Sequence, residues 1–221
     1  KRHMVAQFVS EAHVNAILDH PNIVPVHELG RDENGRIFYM MKLIRGTPFN
    51  RILHPQTDED RAHAAKYDIQ DRIGVLLKIC DAVAFAHSRG ILHRDIKPSN
   101  VMVGGFGEAL LLDWGLAASY DMQKSATRRI ADARSSDGAC GTPMYMPPEL
   151  ARAATDRIGP ASDVYLLGAF LFEILYSQPP HFQEKVFDAL NAAAINQITL
   201  PERIDRKSTR LNSSHRIRYR M

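Results

Sequence analysis

Asp95, Lys97, Asn100 and Asp113 place two carboxylates, an ammonium and an amide within nineteen residues. They stand in the runs His93-Arg94-Asp95-Ile96-Lys97-Pro98-Ser99-Asn100 and Leu111-Leu112-Asp113-Trp114-Gly115-Leu116-Ala117. Asp95 has the chemistry to take a proton from an attacking hydroxyl, and Lys97 can offset charge on a phosphoryl group in transfer. Asn100 and Asp113 supply hard oxygen ligands of the kind Mg²⁺ takes beside a triphosphate. Such a set does nothing unless the chain folds it into one place.

The elements around it have the patterns to do so. A helix is expected over 71–89, with Ile73, Leu76, Leu77, Cys80 and Ala84 at helical spacing and Arg89-Gly90 as a basic last turn and left-handed stop. The chemistry therefore starts just after a buried helix. Apolar runs at 101–103 and 109–112 flank Gly104-Gly105-Phe106-Gly107-Glu108, a hairpin signal whose pairing would set Asn100 beside Asp113. A further helix over 8–18, ended by His20-Pro21, carries Glu11, Val14 and Leu18 on one face, so Glu11 leaves from the packed side and calls for a cationic partner. Strands are expected over 23–28 and 36–43, joined across Asp32-Glu33-Asn34-Gly35.

Farther along, 55–66 is polar without periodicity and is given no role, and 119–141 reads as a polar loop. Ser162-Asp163 is read as the cap of a helix over 164–176 that has hardly any polar face and should lie inside the domain. One more helix is expected over 187–195.

Composition is that of an ordinary globular chain: 221 residues, 45% hydrophobic and 24% charged. No stretch has the roughly 18 to 20 apolar residues needed to span a bilayer, and no signal-peptide pattern opens the chain. A cytoplasmic setting is expected, which allows for the cytoplasmic domain of a larger membrane-anchored protein. Cys80 and Cys140 lack disulfide-framework or zinc spacing. The net charge of +3 comes from the C-terminal end: 205–221 holds six Lys/Arg against one acid, and the remainder has 22 basic and 24 acidic residues. The run Asp205-Arg206-Lys207-Ser208-Thr209-Arg210-Leu211-Asn212-Ser213-Ser214-His215 reads as the in-frame translation of a sequencing-library adapter, so 205–221 is set aside as an unstructured tail. With it goes the case for a nucleic-acid partner.

The two opening runs resemble the catalytic and metal loops of a protein kinase. The resemblance extends over roughly 8–202, through His20-Pro21-Asn22-Ile23-Val24, Gly141-Thr142-Pro143-Met144-Tyr145-Met146-Pro147-Pro148-Glu149 and Ser162-Asp163, in family order. Trp114 within Asp113-Trp114-Gly115-Leu116-Ala117 is similar to a group of bacterial serine/threonine kinases, and Lys97 with Thr142 favours serine/threonine acceptors.

That resemblance implies an α+β, two-lobed protein-kinase fold, with part of the small lobe in 1–42 and the large lobe in 43–204. It implies ATP and Mg²⁺ as cofactors, a protein Ser/Thr hydroxyl as acceptor, no nucleic acid and no membrane segment. Asp95, Lys97 and Asn100 would be catalytic, and Asn100 and Asp113 would hold the metal. Lys42 and Ile44 would meet the base through backbone groups, with Glu11, Lys97, Asn100 and Asp113 on the phosphate side. By the same likeness Arg94 would receive a phosphate placed on Ser125, Thr127, Ser135 or Ser136, Asp163 would hold the catalytic loop, and Trp114 would be a packing residue.

Two departures stand out. No glycine-rich loop or strand lysine precedes Glu11, and the large lobe's last helices are missing, which would leave Glu149 without its arginine partner. A fragment with weak or no phosphotransfer is therefore expected; the alternative is a pseudokinase-like scaffold, against which the intact Asp95, Lys97, Asn100 and Asp113 argue.

Overall fold

The computed structural model describes residues 2–121, 130–135 and 138–201, with side chains of the first helix from Phe8 onward. Ser125, Thr127, Ser136 and the tail over 205–221 lie outside them. The chain opens with helix α1 (Arg2–Ile17), six residues longer at its start than expected, followed by an antiparallel pair, β1 (Val26–Arg31) and β2 (Ile37–Met41). Asp32 closes their turn by accepting the amides of Asn34 and Arg36, and Gly35 takes the positive φ of 74° that the reversal needs.

A short connector leads to β3 (Thr47–Pro48) and α2 (Phe49–Leu53). Gly46 is needed in that connector because a side chain there would collide with the Val103 carbonyl. The stretch given no role in sequence forms α3 (Asp58–Ala64), started by a reciprocal capping box between Thr57 and Asp60.

Helix α4 (Ile69–Ser88) is the predicted one, capped by Asp68 and stopped at Gly90, whose φ is 76°. Its buried stripe, however, is Val75, Leu76, Ile79, Ala82, Val83 and Ala86, and Leu77, expected inside, is 59% exposed. The segment is apolar on more than one side, so spacing allowed two faces; packing against α6 selects one.

After α4 come β4 (Ile91–Leu92), a 3₁₀ turn at Pro98–Asn100, then β5 (Val101–Val103) and β6 (Ala109–Leu111). The hairpin is as predicted, with Val101 opposite Leu111 and Val103 opposite Ala109, and β3 joins it on the β5 edge. β7 (Ala118–Ser119) pairs back onto β4. Helices α5 (Pro148–Ala151), α6 (Pro160–Tyr176) and α7 (Val186–Ala194) follow.

Helix α6 corrects the sequence reading twice. It starts at Pro160 with Gly159 as its cap, so Ser162 and Asp163 lie within its first turn. Asp163 and Glu173 are buried while Val164 is 60% exposed. Hydrophobicity alone does not identify the inner face, because the buried acids are held by hydrogen bonds from other elements.

Among the described residues, large apolar side chains are exposed near the β1–β2 hairpin (Phe38, Met40, Met41, Leu43) and around α7 (Val186, Phe187, Ile195, Leu200). Patches of this kind drive association. The chain is expected to bind a hydrophobic-surface dye and to sediment as oligomers at micromolar concentration; a dye-silent monomer in velocity sedimentation would contradict this. Among the described residues no helix is long and apolar enough to cross a membrane.

Candidate active site

The loop after β4 is held from beneath by one carboxylate. Asp163, fully buried, accepts the backbone amides of His93 and Arg94, each at 2.9 Å, and His87 Nε2 donates to it at 2.8 Å. These bonds offset the left-handed backbone of Arg94 (φ 68°), a conformation that costs a non-glycine residue about 1–2 kcal/mol. Asp163 therefore has the loop-holding place that the family likeness implied.

His93 ties this loop to the hairpin. Burial pushes its imidazole below the ordinary histidine range, and the neutral ring accepts the Asp95 amide at Nδ1 (3.2 Å) while Nε2 donates to the Leu112 carbonyl (3.1 Å). Trp114, 1% exposed, packs on the same ring with centroids 4.6 Å apart. It is a packing residue here.

Three of the predicted residues are joined directly. Lys97 Nζ donates to Asp95 Oδ2 (2.7 Å) and to Thr142 Oγ1 (2.6 Å), and the Thr142 hydroxyl donates to Asp95 Oδ1 (2.7 Å). Asn100 Nδ2 donates to the Asp95 backbone carbonyl (2.9 Å) and to its Oδ2 (3.2 Å). The amide nitrogen is thereby spent on the loop, and the oxygen Oδ1 remains for a cation.

Asp113 joins them through the hairpin. The Leu112 amide donates to the Asn100 carbonyl at 2.8 Å, which sets the base of β6 beside Asn100. Asp113 itself has φ 59° and an exposed side chain, open to an ion arriving from solvent. Glu11 approaches from α1: a methyl placed on Gly115 would sit 3.2 Å from Asp113 Oδ1 and 3.5 Å from Glu11 Oε2. Partial burial pushes the Glu11 carboxyl above its usual range; a hydrogen bond from Tyr39 opposes that and the Asp113 charge adds to it. The cation expected beside Glu11 is replaced by the Tyr39 hydroxyl, at 3.1 Å, and no ion pair to Glu11 occurs among the described residues.

The connector residues stand apart. Lys42 donates its amide to the Pro25 carbonyl (3.1 Å), and its side chain lines a cavity of about 550 Å³ with Asn15, Asp19 and Leu110. Ile44 lies half-buried between Lys42 and Gly46, on the path into β3, next to the hairpin that carries Asn100. Neither is drawn into the Asp95 cluster by a hydrogen bond among the described residues.

The segment after the loop closes over the site. Gly141 has φ 113°, and a Cβ there would lie 2.8 Å from the Arg94 carbonyl. Gly141→Ala is expected to cost about 1–3 kcal/mol from backbone strain alone, read as a lowered urea midpoint; an unchanged midpoint would show that the approach relaxes freely. Tyr145 donates to the buried Glu173 (2.6 Å), which also pairs with His54 (2.7 Å), and burial with the Glu173 charge pushes the phenol well above its usual range.

Arg94, buried, donates from Nε to the Leu116 carbonyl at 2.6 Å. Glu149 is not bare: the Ser162 hydroxyl donates to it at 2.7 Å, although no cation pairs with it among the described residues.

The sequence reading missed the bridging role of His93, the Tyr39 bond and the Tyr145–Glu173–His54 set. His93 stood in the motif, but no local pattern announces a bond between residues 28 or 119 positions apart.

A loop carboxylate bonded to an ammonium, beside two metal-suited oxygen donors on an α+β frame, defines a kinase-like catalytic domain. The description "Protein kinase domain" matches residues 1–217, and the chain belongs to that family; its mixed helix-and-sheet architecture fits the two-lobed kinase fold. It is similar to the serine/threonine-protein kinase PknD of Protochlamydia amoebophila, with 34% identity covering 79% of this chain and 19% of the relative. It is likewise similar to PknB of Mycobacterium leprae (34%, covering 79% and 26%). A third relative is the DNA damage-responsive serine/threonine-protein kinase RqkA of Deinococcus radiodurans (35%, covering 79% and 24%). The chain spans about a fifth to a quarter of the length of these relatives.

Proposed function

We propose that this chain carries the catalytic centre of a serine/threonine protein kinase, which moves the γ-phosphoryl group of ATP to a hydroxyl of a protein substrate. The observation that carries this reading is the hydrogen-bonded triangle of Asp95, Lys97 and Thr142, with Asn100 bonded to its carboxylate. Asp95 would orient an acceptor hydroxyl and take its proton. Lys97, already held against Asp95 and Thr142, can shift its charge toward the phosphoryl group as it leaves ADP.

Asn100 Oδ1 and the exposed Asp113 carboxylate fit Mg²⁺, which prefers hard oxygens and commonly takes only one or two protein ligands besides substrate phosphates. Bound there, the ion would neutralise charge on the phosphates of the nucleotide. The connector through Lys42 and Ile44 would border the base, since it runs into β3 beside the Asn100 hairpin. Residues 141–149 would receive the substrate peptide, next to Thr142.

Calorimetric titration with Mg·ATP tests this reading. Binding that falls at least tenfold in Asp113→Ala, and also on replacing Mg²⁺ with EDTA, is the expected result. Binding indifferent to both would overturn the assignment of the metal side.

A further inference from the structure

We propose that Tyr39 is a positioning residue that fixes the rotation of α1 and holds Glu11 toward Asp113 with a neutral donor. The inference rests on the kinase reading for its consequence, but the contact itself does not.

Tyr39 sits on β2 opposite Leu29 and reaches α1 at two points. Its ring packs on Phe8, centroids 4.8 Å apart, and its hydroxyl donates to Glu11 Oε1 at 3.1 Å. Phe8 and Glu11 are three residues apart, so they share one face of the helix. A rotation of α1 by one residue would break both contacts together. The same region of α1 is seated on the core by Ala12 and Val14, each at most 1% exposed, but neither offers a donor to the carboxylate, so the aim of Glu11 is left to the Tyr39 hydroxyl.

The division of the carboxylate matters. Tyr39 occupies Oε1, whereas Oε2 faces the Gly115 turn beside Asp113. A phenol hydroxyl fixes the carboxylate without cancelling its charge, so Oε2 still attracts a cation at the phosphate side of the site. An ammonium in the same place would have neutralised it.

The test uses the 221-residue chain and needs no nucleotide for its first arm. Tyr39→Phe keeps the ring on Phe8 and removes only the donor. Amide exchange over Glu11–Ile17 is expected to quicken about tenfold, in keeping with loss of a hydrogen bond to a charged group, with β5 and β6 unchanged. Installing 4-aminophenylalanine at position 39, which restores a donor, should return exchange to near the wild-type rate. In a Glu11→Ala background the same Tyr39→Phe change should have no further effect.

Exchange unchanged by Tyr39→Phe, or equally quickened with and without Glu11, would overturn the proposal and leave Tyr39 a packing residue. The second arm measures Mg·ATP affinity, expected to weaken about tenfold in Tyr39→Phe and to recover with the amino analogue. A wild-type chain that binds no Mg·ATP would sink the nucleotide reading, while the exchange cycle would still decide whether Tyr39 fixes Glu11.

Discussion

Asp163→Ala is expected to lower the stability of the chain by about 3–5 kcal/mol, and to loosen the 93–95 loop before the rest unfolds. The carboxylate is 0% exposed and is shared by three donors from two elements: the His93 and Arg94 amides of the loop and His87 of α4. Alanine strands two buried backbone N–H groups, each costing about 1–3 kcal/mol without a partner. It also removes what holds Arg94 in its left-handed conformation. Set against a domain stability of about 5–15 kcal/mol, the loss is a large fraction.

Asp163→Asn sharpens the test. The asparagine can accept from one amide, but it must turn an NH₂ toward the other or toward His87, so a smaller loss and a selective loosening are expected. Urea denaturation followed by amide exchange at residues 93–95 reads both. An alanine variant within about 0.5 kcal/mol of the parent, the scatter of neutral surface changes, would show that the loop is held by something else.

What the sequence revealed and what it hid divide along a physical line. The β5–β6 hairpin, the Gly90 stop and the backbone pairing that sets Leu112 beside Asn100 were legible because local signals specify them: apolar runs around a glycine-rich turn, and a positive-φ stop. Asp95 and Lys97 were legible as members of one site because they are two positions apart, but the bond between them was not foreseen.

The buried stripe of α4 was misjudged by one step because its composition permits two faces and only the presence of α6 chooses. Asp163 and Ser162 were mistaken for caps because an acid or a hydroxyl at a helix start ordinarily caps it. Here Asp163 turns to the catalytic loop, while Ser162 does serve the helix start by accepting the Gly159 amide at 3.3 Å and also donates to Glu149. Glu11 was expected to find a cation since buried carboxylates usually do; a tyrosine from a strand 28 positions away meets it instead, and no single-sequence pattern encodes that choice.

Asp95→Asn should separate chemistry from binding. Its carboxylate is 7% exposed as a residue and accepts from Lys97, Thr142 and Asn100 at once, so its charge is organised, not merely present. Asparagine preserves the shape and one acceptor oxygen, but it cannot take the proton of an incoming hydroxyl, and its NH₂ must face Lys97 or Thr142, both of which already donate to it. Whatever single-turnover transfer of labelled phosphate the parent chain carries out is expected to fall by about 10²–10⁴-fold, the usual contribution of a positioned proton acceptor.

Mg·ATP affinity should change by less than threefold in the same variant, because the metal-suited oxygens belong to Asn100 and Asp113. This is the reverse of Asp113→Ala, where binding itself should fail. The contrast depends on the geometry: Asp95 is enclosed among protein donors on the acceptor side, whereas Asp113 is exposed on a left-handed turn at the end of β6. Transfer by Asp95→Asn within threefold of the parent would show that the triangle with Lys97 and Thr142 serves only to brace the loop.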